Sequence, residues 1–400
     1  MNTVKIKVIP NYILIFALIA YMGYLVSCTH ENQVIEPAEV INSETDLVAV
    51  KVATSPGIDG TIDATWDNSP KLEFEGAVPD PGGDLFRGLV GNVYNGTLRA
   101  AYDNENIYLL AEWKDPSQSL LRQPWYFDPA TKKWALESGA PTFSASGAIT
   151  RDAFGEDKVG FLWNINKSVS GWNNGTCYKS CHSGMAATDG FARHKTNSPG
   201  EKIDMWHWKS ARLNVVNQID DQYQDFTYPN GRKNDAASSG GDKANTQTLN
   251  QPGIGNVSVP KYLIPGRTGY YWILQSEIEN NTAKEVKAVD ANGVLTLNDG
   301  TTVDPNTDVA FQRSGTTVGN KAIPGISTSA FIGSRGDIAC KGVYTGQGWV
   351  LEIKRALKTA DNVNDIDFSS LEDQYFGIGI FNNTSAAHAI KPNLVLKFKK

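Results

Sequence analysis

The decapeptide GTCYKSCHSG, residues 175–184, carries the side chains of this chain best suited to chemistry. Cys177 and Cys181 stand four positions apart, and His182 follows the second directly. Two thiols this close can add to the two vinyl groups on one edge of a porphyrin. An imidazole beside them can then reach the iron from one face. The common attachment spacing has two residues between the cysteines. Here there are three, Tyr178, Lys179 and Ser180. The Cys-His step is unchanged, so one covalent haem c is the leading expectation, with His182 as axial ligand. Three rivals stay open at this point: a Cys177–Cys181 disulfide in an exported chain, a structural zinc held by cysteines and histidines, and coincidence. The adjacent histidine is unnecessary to the disulfide and awkward for tetrahedral zinc.

An electron-transferring haem iron usually takes a second ligand. His388 is the first candidate for that distal position and His207 the alternative, with Met185, Met205 and His194 behind them. Met185 is three residues past His182, too close to reach the opposite face of the iron. Trp206 and Trp208 flank His207 and are expected either to wall a haem pocket or to fill the core. Cys340 sits in a strand-like stretch and reads as a small buried hydrophobe.

The elements that must position these residues read as strands. In residues 97–115, Leu98, Ala100 and Tyr102 alternate with polar or small neighbours, a turn follows at 103–106, and Ile107, Leu109, Ala111 and Trp113 alternate again. That pattern is a hairpin with one buried face. Similar runs are DKVGFLWNI, DMWHWKSAR, GYYWILQSEIE, GVLTL, GWVLEIKRAL, FGIGIF and NLVLKF. In DMWHWKSAR, Trp206 and Trp208 point one way, and Met205, His207 and Lys209 the other. No long amphipathic helix is evident. The expected fold is an all-β antiparallel sandwich. Residues 230–258 are polar and rich in Gly, Ser and Asn, and are expected to form a surface loop within it.

The first residues speak to compartment. Lys5 and Lys7 precede an apolar run from Tyr12 to Val26, closed by Leu25-Val26-Ser27-Cys28. The run is short for a membrane span. Residues 1–27 are expected to be a lipoprotein signal peptide, with Cys28 the lipidated first residue of the mature chain. Residues 28–50 then form a tether and 51–400 the sandwich domain. A lipid anchor holds a protein to a membrane surface without spanning it. Loss of Lys5 and Lys7 takes the net charge from -6 to -8, which speaks against nucleic acid as a partner. No nucleophile–His–Asp arrangement, phosphate loop or dinucleotide fingerprint is present, so no catalytic activity of its own is expected.

Several segments, in order, resemble ethylbenzene-dehydrogenase-type haem-binding domains: GIDGTIDATWDNSP, TLRAAYDNENIYLLAEWKDPSQS, EDKVGFLWNI, DMWHWKSAR and GDIACKGVYTGQGWVLEIKRALKT. Such domains are related to the haem-carrying gamma subunits of molybdenum dehydrogenases of the dimethyl sulfoxide reductase superfamily. The resemblance covers most of residues 57–400. It implies a β-sandwich whose long loops hold a haem at one end. In the gamma subunits that haem is b-type, held by a methionine before the tryptophan-rich strand and a lysine near the chain end. Here the first position falls in the segment of Cys177, Cys181, His182 and Met185, and the second near His388 or Lys391. The resemblance therefore implies an altered ligand set, and by position it favours His388. The implied role is an electron-transferring, lipid-anchored cytochrome of the bacterial cell envelope, facing the periplasm or the exterior, whose partners are redox proteins. Two further readings stand beside it: a haem subunit of a molybdenum oxidoreductase, and a haem-free carbohydrate-binding module, since IDGTIDATWDNSP also resembles modules of that class.

Overall fold

Alternation of apolar and polar residues dictates most of this architecture. The computed structural model describes residues 41–81, 86, 88–146, 149–151, 153–180 and 194–400. The expected signal peptide, Cys28 and most of the tether lie outside the described residues. Twelve strands make one sheet. They are β1 (Asp46–Lys51), β2 (Leu72–Ala77), β3 (Val93–Tyr102), β4 (Asn106–Lys114), β5 (Lys158–Asn164) and β6 (Lys202–Lys209). The others are β7 (Asp220–Asp225), β8 (Arg232–Asn234), β9 (Ala339–Tyr344), β10 (Gly348–Ala356), β11 (Gln374–Phe381) and β12 (Ala389–Lys399).

The sheet runs β8-β7-β6-β5-β11-β12-β1-β3-β4-β10-β9, with β2 paired to both β12 and β3. Strand β1 is parallel to β12 and β3, and the other pairings in this sheet are antiparallel. The sheet folds over itself, so that its two halves form the layers of a sandwich. The indole of Trp208 on β6 meets Trp113 on β4 at 5.6 Å and Trp349 on β10 at 5.0 Å between ring centroids. Leu98, Ala100, Tyr102, Ile107, Leu109, Ala111 and Trp113 all face this core, as the hairpin pattern predicts. Cys340 is fully buried there too. The all-β sandwich is thus the observed fold. No described helix is long and apolar enough to cross a membrane.

Three local expectations are corrected. The end of the expected tether is not a tether: β1 begins at Asp46, and Leu47 and Ala49 are buried in the main core. Residues 230–258 are not a loop: they contain β8, a short strand at Lys243–Ala244 and a hairpin of Gln247–Gln251 with Gly255–Val259. Val257 and Val259 enter a second core with Trp125, Phe127, Trp134, Leu263, Val286 and Leu297. The polar majority faces away, and Gln247 and Gln251 donate their amides to Val286 O and Lys132 O. In GYYWILQSEIE only Ile273–Leu274 is strand; Gln275–Glu279 is a short helix. There the Glu277 carboxylate accepts from Leu274 N and caps the first turn.

Between the layers Arg355 of β10 is buried among Asp204 of β6, Asp221 of β7 and Asp365. Burial first, and the neighbouring carboxylates with it, holds Asp204 and Asp221 above the usual carboxylate range.

Candidate functional site

Strand β6 alternates as its sequence requires. Trp206 and Trp208 face the main core, while Met205 and His207 face the other way. The possibility that the two tryptophans wall a pocket beside the cysteine segment is therefore corrected: they fill the sandwich interior, where their apolar area is best spent. Yet β6 is buried on both faces, so something must cover Met205 and His207. Over Met205 the cover includes the turn holding Cys177, and beside His207 it includes Arg232 and Phe381.

Strand registers lay out the floor beneath it. One row across β6, β5 and β11 is His207, Gly160, Gly379, and the next is Met205, Leu162, Gly377. A third row, Lys209, Lys158 and Phe381, closes one side. Rows on one face are separated by two residues, about 6.8 Å. Three glycines on two adjacent rows leave the backbone bare, which is what close approach by another group demands. A Cβ built at Gly160 meets nothing nearer than 3.9 Å. One at Gly379 would press on His388 Cδ2 at 3.2 Å, and one at Gly377 would collide with Cys177 Sγ. The sulfur of Cys177 and the ring of His388 thus lie directly on glycines of β11.

Cys177 belongs to a short 3-10 turn, Thr176–Lys179. It is buried with Leu162, Val169, Trp172, Ile203, Met205 and Ile390. The turn is pinned to the sheet at two points. Trp172 Nε1 donates to Tyr375 O at 2.8 Å, and Asn393 N donates to Thr176 Oγ1 at 3.0 Å. Thr176 has φ 35°, a left-handed conformation that a β-branched residue adopts only under constraint. Cys181, His182 and Met185 lie outside the described residues.

The two distal candidates differ in tautomer. Arg232 Nη2 approaches His207 Nδ1 at 2.6 Å. A guanidinium can only donate, so Nδ1 must accept and the ring proton sits on Nε2. That Nε2 is buried without a hydrogen-bond partner among the described residues. Burial, then the charges of Arg232, Lys209 and Lys158, holds the His207 imidazole well below its ordinary pKa. His388 is opposite in kind. Its Nδ1 lies 2.7 Å from Ala386 O, a pure acceptor, so Nδ1 carries the proton and Nε2 keeps its lone pair. The His388 ring stacks on Phe381 at 4.5 Å, with Phe86 edge-on at 5.8 Å. Burial pushes its pKa down to about 4. Lys158 holds the preceding turn, donating to Thr384 O at 2.8 Å and Ser385 O at 3.1 Å. His194, a weaker candidate, has the same tautomer as His388 through Phe226 O at 2.7 Å. Met205 Sδ accepts from Gln224 Nε2 at 3.2 Å.

One face therefore brings together Cys177, Met205, His207 and His388. Sequence reasoning missed Gly160, Gly377, Gly379, Phe381, Lys158 and Arg232. The legible signal was FGIGIF, a strand whose glycines recur at every second position.

The thiol of Cys177 and the imidazole of His388 thus rest on two glycines of one strand, with Nε2 of the imidazole unprotonated. Two solved structures similar to this chain are carbohydrate-binding modules of family 9 from Caldicellulosiruptor kristjanssonii, in complex with cellotriose and with glucose. Both are 10% identical; they cover 89% of this chain and 94% and 96% of their own, with TM-scores of 0.29 and 0.28. A search of curated proteins gives no match. The family model described as ethylbenzene dehydrogenase matches residues 63–391, well over half of the chain. With that match spanning both layers of the sandwich and the face that carries Cys177, His207 and His388, the chain belongs to the ethylbenzene dehydrogenase family.

Proposed function

We propose that this protein is an extracytoplasmic, lipid-anchored c-type cytochrome that relays electrons and performs no substrate chemistry of its own. Cys177 and Cys181 are its thioether anchors, His182 its axial ligand and His388 its distal ligand. A haem bound there supplies one-electron chemistry through its iron. The observation that carries the reading is the Nδ1–H of His388 held by Ala386 O, which presents Nε2 as a ligand on the same glycine-lined face as Cys177. His207, protonated at Nε2 by its contact with Arg232, is the poorer ligand. Phe381, Phe86 and the Lys158-braced turn orient His388.

The family description is that of a dehydrogenase, which supports a second form of the same role, a haem subunit within a molybdenum oxidoreductase. Co-purification with a molybdenum-containing partner distinguishes the two. The carbohydrate-binding reading calls for aromatics open to solvent. Nine of the ten tryptophans are buried and Trp272 is half-buried, while Tyr178, Tyr228 and Tyr375 are exposed.

The test is expression in cells with a complete c-type maturation system. The expected product carries a Soret band and a covalent haem mass increment. His182→Ala should abolish the low-spin spectrum, His388→Ala should convert it to high-spin, and His207→Ala should leave it low-spin. Iron-free protein from such cells refutes the proposal. Cys28→Ala should release the chain from the membrane fraction; a variant that stays there refutes the anchor.

A further inference from the structure

Behind the candidate face, on the core side of β6 and β7, Asp204, Asp221 and Asp365 each offer a carboxylate oxygen, and these atoms lie within 4.8 Å of one another. The side chains are 0%, 0% and 4% exposed, and Asp235 beside them is 4% exposed. Some of their oxygens are satisfied. Asp204 Oδ2 accepts from Ile366 N at 2.9 Å and faces Arg355 Nη2 at 3.4 Å. Asp365 Oδ2 faces Arg355 Nη2 at 3.1 Å and accepts from the Thr359 hydroxyl.

The remainder are not. Asp204 Oδ1, Asp365 Oδ1, both oxygens of Asp221 and both of Asp235 are buried with no hydrogen-bond partner among the described residues. Arg355 Nε stands 3.9 Å from Asp221 Oδ2, too far for a hydrogen bond. Buried carboxylate oxygens without donors are costly and call for a counter-charge. With Asp235 beside them the carboxylates outnumber the Arg355 guanidinium, and the surplus negative charge is what a divalent cation would balance. The donor set is all oxygen, which suits a hard ion over one that prefers imidazole or thiolate. Magnesium dehydrates reluctantly and is usually held by one or two carboxylates and several waters, whereas calcium takes more oxygens in a flexible geometry. Three buried carboxylates therefore favour the larger ion.

We propose that Asp204, Asp221 and Asp365, with Asp235 at their side, bind one divalent cation of the calcium class. The ion ties β6 and β7 to the connection between β10 and β11, and so fixes from behind the strand that carries His207. The site is independent of the haem reading and can fail or stand without it.

The experiment uses the full chain as isolated, stripped with EGTA and compared with the same protein in about 1 mM calcium chloride. One calcium per chain is expected by elemental analysis after gel filtration. The melting temperature should be at least about 3 °C higher in calcium than in EGTA. Magnesium at the same concentration should shift it less; an equal or larger shift overturns the assignment to the calcium class. Terbium(III) chloride supplies a second readout. Trp206 stands opposite Asp221 in the β6–β7 register, so tryptophan excitation should give terbium emission that calcium competes away. Asp221→Asn should weaken calcium binding at least about tenfold and remove most of the thermal shift, while Asp225→Asn at the far end of β7 should leave both intact. Should Asp221→Asn fail to fold, the stripping experiment on the unaltered chain decides. A chain that takes up no calcium and melts alike in EGTA and calcium overturns the proposal, the carboxyls then being neutral and sharing protons.

Discussion

Gly377→Ala is the sharpest probe of how the cysteine segment meets the sheet. A Cβ at this position would overlap the sulfur of Cys177 and lie 3.1 Å from Thr176 Oγ1. Neither neighbour can yield easily. The turn is tied down by Asn393 N on Thr176 and by Trp172 on Tyr375 O, and Cys177 is 4% exposed. Overpacking of this kind costs about 1–3 kcal/mol. Cys177→Ala alone removes one buried heavy atom and should cost about 1 kcal/mol. In the double variant the sulfur is gone, the new methyl occupies part of its space, and the strand gains from losing a glycine. The double variant should thus be about as stable as Cys177→Ala, with a coupling energy of about 1–3 kcal/mol. Urea unfolding of haem-free protein, followed by tryptophan fluorescence, measures all four corners of the cycle. Losses that simply add, within about 0.5 kcal/mol, would refute the packing of Cys177 on Gly377.

Three further outcomes follow from the same geometry. The His388 imidazole is held neutral, with a folded pKa of about 4 against an ordinary value near 6.5, so its contribution to stability is complete above pH 6.5 and lost as pH falls toward 4. Haem-free protein should lose about 2 kcal/mol through this group between pH 7 and pH 4.5, and His388→Leu should flatten that part of the urea-midpoint profile. Long-range proton–nitrogen NMR of haem-free protein should show His207 protonated at Nε2 and His388 at Nδ1; the reverse pattern undoes the choice of distal ligand. Val259→Ala should cost roughly 2 kcal/mol by urea unfolding, because residue 259 is wholly buried in the second core; a neutral result would return that stretch to the surface.

The reach of local pattern is clear in particular residues. The alternation through residues 98–113 was readable because one face of that hairpin is apolar without interruption, and period-two burial is a property of neighbours in the chain. The opposed faces of β6 were readable for the same reason. Residues 243–259 were not, since Val257 and Val259 are the buried apolar residues of a stretch otherwise rich in Asn, Gln, Thr and Gly, which looks like loop composition until a partner surface is present. The glycines of β11 look like breaks in an apolar strand until His388 and Cys177 are seen resting on them. No local signal joins Asp204, Asp221 and Asp365, which are brought within one coordination distance by two strands and a connection far along the chain.

From its order of residues alone this protein declared an all-β chain, the two faces of the DMWHWK strand, and a Cys-x-x-x-Cys-His step. Those are consequences of spacing along a backbone. The tertiary structure decided that Trp206 and Trp208 belong to the core, that Cys177 and His388 share a glycine floor, and which nitrogen of each histidine holds its proton. The reason is physical: a tautomer depends on whether Arg232 or Ala386 O stands beside the ring, and a bare strand surface becomes a site only when another part of the chain is folded against it.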